Sequence, residues 1–162
     1  MDTFAYLKNN FELYTQEEYK KCNLSESTKR ILCEIGLPKE PIEAVQFNIR
    51  SPQDLTVINE SIVIGRNEGT YICVNPQDEI IAIDPQSELP IRFVNKNLNS
   101  LLDFIVIFLI SRDKALSVSD EKEEMQVLEE MRKEFEVIDD KALCNEENWW
   151  AVILEQMEMG LM

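Results

Sequence analysis

A chain of 162 residues, 44% apolar with four Gly and six Pro, can bury one core and is too poor in breakers for long low-complexity linkers. Its formal charge of −15 disfavours nucleic acid and anionic membrane surfaces, because both are gripped through Lys and Arg. Its lack of histidine removes the usual general base and the commonest zinc and iron ligand. The acid excess is uneven: residues 113–162 carry −10 and residues 1–112 carry −5. Such a field steers a basic partner towards the chain, although acidity in many proteins only solvates a surface.

Phe4, Leu7, Phe11 and Tyr14 recur at helical spacing and predict a helix over 4–19, capped by Asp2 or Thr3. A second helix is predicted over 26–35, with Ile31, Leu32 and Ile35 on its apolar face. Gly36 stands where a left-handed cap is wanted, and Pro38 stops continuation. The pattern then turns to strands: 44–47, a weaker 54–58, 61–66, 70–74, 79–84 and 91–94. Asn67-Glu68-Gly69 reads as a hairpin turn and Asn75-Pro76-Gln77-Asp78 as a second, so these strands form an antiparallel meander.

A helix over 97–112, apolar nearly all round, is expected to lie buried on that sheet. Residues 113–119 read as a loop, and Asp120 as the cap of a helix running to about 136. There Leu128, Met131 and Phe135 face inward and the remaining surface is charged. Residues 137–140 are expected to break it. A last helix over 146–159, capped by Asn145, carries Trp149, Trp150, Ile153, Leu154 and Met157. No repeat or domain boundary interrupts 1–162, so a single domain is expected.

Catalytic motifs are lacking. The chain has no Gly-x-Gly-x-x-Gly, no phosphate loop and no calcium-loop spacing; Gly65 and Gly69 read as turn residues. Asp139-Asp140 and Glu146-Glu147 could serve as acid and base, but consecutive exposed acids near a helix start are far more often caps and dipole partners. No cofactor, no metal and no enzyme activity are expected. Cys22, Cys33, Cys73 and Cys144 form no ligand pair or disulfide framework, which suits free thiols in a reducing, cytoplasmic compartment. Met1-Asp2-Thr3-Phe4 is unlike a secretory leader, and Phe104 to Ile110 is too short an apolar run to span a bilayer. Of the two tryptophans, one is expected to plug the core and the other to half-cover it; the alternative is a partner-binding hot spot.

One ordered series of residues reaches further. Ile35-Gly36-Leu37-Pro38 ends a helix, Ile64-Gly65 lies in a strand, Ile83-Asp84 closes another, and Phe93-Val94-Asn95 leads to the helix bearing Leu101, Leu102 and Phe104. This order resembles the SUKH superfamily, over about 26–158. Lys96 and Asn97 replace the small hydroxyl residues usual after that Asn. Asp139, Ala142 and Trp149 follow an order similar to that of the fourth SUKH group; the eukaryotic cell-wall regulator branch is the nearest alternative.

The resemblance implies an α+β fold and a binding function: an immunity protein that clamps a cognate polymorphic toxin domain, a nuclease or nucleic-acid deaminase, and blocks its active site. A scaffold or regulatory module of the same fold is the alternative. A basic cleft on the toxin would suit the acidic surface. The candidate contacts, chosen on charge and expected exposure, are Asp78, Glu79, Asp84 and Glu88 near strand ends, Glu123, Glu124 and Glu130 on the acidic helix, and Trp149. A second copy of the chain is a further candidate partner; nucleic acid and membrane are not.

Overall fold

The computed structural model describes residues 3–14, 22–47 and 57–160. Helix α1 (Thr3–Asn10) runs into a two-residue strand, β1 (Phe11–Glu12), which pairs antiparallel with β2 (Leu37–Pro38). The predicted helix over 4–19 is therefore shorter. Phe11 and Tyr14 are buried, as their spacing suggested, but from extended backbone, and the Tyr14 N–H donates to Leu32 O at 3.1 Å. Residues 15–19 and the proposed cap Asp2 lie outside the described residues. Pairing with β2 decides the ending. Gly36 allows that pairing: its φ is +83°, and a Cβ there would collide with the Glu12 carbonyl.

Helix α2 (Glu26–Glu34) matches the expected second helix. The Ser25 hydroxyl accepts from Thr28 N at 3.1 Å, and Leu32 is fully buried.

The five strands β3 (Val57–Ile58), β4 (Ser61–Arg66), β5 (Tyr71–Val74), β6 (Ile80–Ile83) and β7 (Ile91–Asn95) form one antiparallel sheet in that spatial order, the predicted meander. Of the strand expected over 54–58, β3 shows 57–58, and 54–56 lie outside the described residues. Residues 44–47 form no strand; Gln46 bridges Arg66, extending β4's pairing. Asn67 Oδ1 accepts from Gly69 N and Thr70 N and closes the β4–β5 hairpin. Gly65 is not a turn residue. It lies in β4 at a bulge, and a Cβ there would meet the buried Phe47 ring at 2.8 Å.

One face of the sheet turns Ile62, Ile64, Ile72, Val74, Ile80 and Val94 into the main core. The other buries Val63, Cys73 and Ile83 in a small second cluster with Ile58, Tyr71 and Ile81.

The helical layer begins with α3 (Leu98–Ser117), started by Asn97, whose Oδ1 accepts from Ser100 N at 2.9 Å. It extends past the expected end at 112, because Arg-Asp-Lys-Ala-Leu continues the helix well. Helix α4 (Glu121–Asp139) follows after three residues, with Asp120 Oδ1 accepting from Lys122 N as expected. Phe104 stacks on Phe135 at 4.0 Å and Lys114 meets Glu130 at 3.7 Å, which sets α3 and α4 antiparallel. A 3-10 turn (Asp140–Leu143) leads to α5 (Trp149–Glu158). Residue 148, not 145, precedes α5; Asn145 instead caps a turn by accepting from Glu147 N. Trp150, fully buried, packs its indole within 5.3–5.8 Å of the Phe104, Phe108 and Phe135 rings. Each such pair adds about 0.5–1.5 kcal/mol beyond its buried area. This aromatic knot lies where the three helices meet, and α3 and α5 both pack on β7.

Candidate partner-binding surface

The eight residues singled out from the sequence fall into four places. Asp78 and Glu79 occupy the β5–β6 turn, where both are engaged within the fold. The Asp78 carboxylate accepts from Ser25 Oγ at 2.9 Å and Thr28 Oγ1 at 2.7 Å, so it pins the start of α2 to the sheet. Its φ of +67° is one that Asp tolerates. Glu79 accepts from Lys141 Nζ at 2.9 Å and Asn75 Nδ2 at 3.3 Å, and the lysine hydrogen bond lowers the Glu79 pKa. The same ammonium lies 4.4 Å from the Phe93 ring centroid.

Asp84 and Glu88 lie at the opposite end of β6, so the strand-end acids do not form one patch. Asp84 Oδ1 accepts from Gln86 N, and Glu88 is exposed in the same loop. Asp84 and the half-buried Trp149 share a cleft of about 300 Å3 with Glu43, Leu89, Arg92 and Gln156. Glu43 and Ala44 form a two-residue turn with φ of 49° and 64°, closed by the paired hydrogen bonds of Ile42 and Val45. Burial pushes the Glu43 carboxyl up. Sequence reading did not single out Glu43, since Glu-Ala is a poor signal for a turn that needs two positive φ values.

Glu123 and Glu124 are exposed on the first turn of α4. Glu130, two turns on, reaches Lys114 of α3. Beside Glu130 the two helices leave a groove of about 390 Å3, also lined by Leu7 and Ile35. Its floor is Leu102, Val106, Ile107, Ile110, Val127 and Met131; its walls carry Asp103, Glu130 and Glu134. Helical spacing explains why α4 lines the groove: Val127, Glu130, Glu134 and Ile138 are three, four and four apart, one ridge of a helix.

A buried polar connection joins the two layers and corrects one expectation. The sequence pairs Asp139 with Asp140 as exposed acids in the stretch that breaks α4. It is 2% exposed and the last residue of α4, and its Oδ2 accepts from Lys96 N at 2.7 Å and Asn95 Nδ2 at 3.2 Å. Asn95 Oδ1 in turn accepts from Trp150 Nε1 at 2.8 Å. A bulge in β7 supplies the geometry: Ile80 pairs with Asn95 but Ile81 with Phe93, so Val94 is the extra residue. Asp139 lines neither the groove nor the cleft. Among the described residues, no three Cys, Asp or Glu are placed to hold a metal ion.

What this α+β domain offers a partner is surface: an apolar groove with acidic walls, a smaller mixed cleft, and an exposed acidic helix. The sequence model of the SUKH-4 immunity protein family matches residues 10–156, and the chain belongs to that family. Membership carries an immunity role, the binding of a cognate toxin. No curated protein and no solved structure matches the chain. Among the described residues, no helix is long and apolar enough to cross a membrane.

Proposed function

We propose that this chain is the cytoplasmic immunity partner of a polymorphic toxin whose active domain acts on nucleic acid, as a nuclease or a deaminase. It acts by binding, not by turnover, and covers the toxin's active site with an acidic surface. The observation that carries this reading is the excess of exposed acids along α4. Seven exposed glutamates (Glu121, Glu123, Glu124, Glu129, Glu130, Glu134 and Glu136) stand there against the exposed Lys122 and Lys133 and the half-buried Arg132. Arg132 is already paired with Glu158 at 2.6 Å and Lys133 lies 3.9 Å from Glu129. A domain that handles nucleic acid presents Lys and Arg to phosphates. An acidic helix can occupy the same cleft, with electrostatically steered association.

The test is to co-express the chain with the C-terminal domain of the protein encoded immediately upstream and to score host survival. Rescue with a stable co-purifying complex supports the reading, and the material destroyed by the domain alone reveals its chemistry. Toxicity without rescue, or a harmless neighbour, overturns it in favour of a scaffold of the same fold, to be pursued by pull-down.

A further inference from the structure

The groove between α3 and α4 has both a shape and a charge that restrict what can fill it. Its floor is six apolar side chains contributed by both helices, Ile107 and Ile110 half-buried and the other four buried, an apolar surface for the apolar side of an incoming helix. Its walls carry three carboxylates, Asp103 from α3 and Glu130 and Glu134 from α4, against one ammonium, Lys114. That ammonium bridges the mouth to Glu130 at 3.7 Å. Asp103 and Glu134 have no cation within ion-pair distance among the described residues. Asp103 takes one long hydrogen bond, from Asn99 Nδ2 at 3.5 Å. Desolvation by the groove raises its pKa, the behaviour of a carboxyl that lacks a cation.

We propose that this groove receives a basic amphipathic helix of the toxin, its apolar side on the floor and its lysines or arginines against Asp103, Glu130 and Glu134. The proposal rests on the immunity reading and deepens it, naming where the toxin docks and what it brings. Glu130 and Glu134 stand one turn apart, so cations three or four residues apart on the incoming helix can meet both. Lys114 occupies in the free protein a position that a toxin cation takes in the complex. A second copy of this chain is a poor occupant, because it too carries −15.

The test measures the affinity of the upstream-encoded toxin domain for four proteins: the unaltered chain, Asp103→Lys/Glu134→Lys, Lys114→Gln, and Glu68→Lys/Glu155→Lys. The last pair changes net charge equally at exposed sites outside the groove. The groove reversal is expected to weaken binding by about 30-fold or more, the outside reversal by several-fold at most. Lys114→Gln, on the exposed rim, is expected to bind at least as tightly as the unaltered chain and with a steeper salt dependence, since it frees Glu130. Equal losses for the two reversals overturn the groove and leave only a diffuse field. So does unaltered binding by the groove reversal, or weaker binding by Lys114→Gln. Failure of the unaltered chain to bind is a different result: it overturns the immunity reading, and the groove assignment falls with it.

Discussion

Asp139 shows how much one side chain decides here. Its carboxylate is the acceptor for a backbone N–H and a side-chain amide, and the same amide group holds the Trp150 indole. Sheet, aromatic knot and both C-terminal helices therefore meet at one oxygen. A buried donor left without a partner costs about 1–3 kcal/mol. Asp139→Ala strands such donors and is expected to lower the unfolding free energy by about 2–3 kcal/mol in urea titration. Asp140→Ala, its exposed neighbour, is expected to stay within about 0.5 kcal/mol. Similar losses for the two would show that the connection contributes little.

Cys73 is a second case of environment overruling residue type. Burial alone pushes its thiol up to about 12. A maleimide at neutral pH is expected to modify the exposed Cys144 and spare Cys73 until the chain unfolds. The unfolded thiol ionises near 8.5 and the folded one near 12. The stability tied to Cys73 is thus fully present below about 8.5 and falls as pH rises from there towards 12. A Cys73→Ser chain whose alkaline unfolding matched the unaltered one would contradict this.

At the scale of elements, the β5–β6 turn acts as a clasp. Asp78 holds the start of α2 and Glu79 holds the 3-10 turn through Lys141, so one five-residue turn ties the sheet to the chain before it and after it. Asp78→Gly keeps the left-handed φ available while removing the acceptor. It is expected to cost about 1–2 kcal/mol and to speed hydrogen exchange in α2 more than in β5 and β6. Uniform acceleration, or none, would remove the clasp.

The element boundaries that differed from expectation share a cause. Helix α1 ends at Asn10 because β1 finds a partner 25 to 27 residues away, and α4 continues to Asp139 because Asn95 and Lys96 bind its last side chain. Local periodicity reads the residues on one face, not the distant backbone that captures them. The meander strands from Ser61 onward, α3 and α4 were legible because their Ile, Val and Leu patterns are long and unbroken.

For the whole molecule, charge and shape contribute differently to partner binding. A surface with seven exposed glutamates on one helix acts at a distance and chiefly on the association rate. Raising ionic strength from about 0.05 M to about 0.5 M is expected to slow association with the toxin domain by roughly tenfold or more, while dissociation changes little. Salt-independent association would argue that docking is apolar and that the acids only solvate α4.

Sequence alone established the α+β order of elements, the acid excess in the last third and the SUKH-like series of residues. These properties depend on composition and short-range spacing, which the chain carries before it folds. Tertiary structure decided what surrounds each acid. Asp78 and Glu79 are spent on internal contacts, Asp139 is buried, Asp84 joins Trp149 in a cleft, and Glu130 joins Asp103 and Glu134 along a groove. A carboxylate has the same chemistry in every one of these places. What separates them is the neighbour brought beside it by residues far away in the chain.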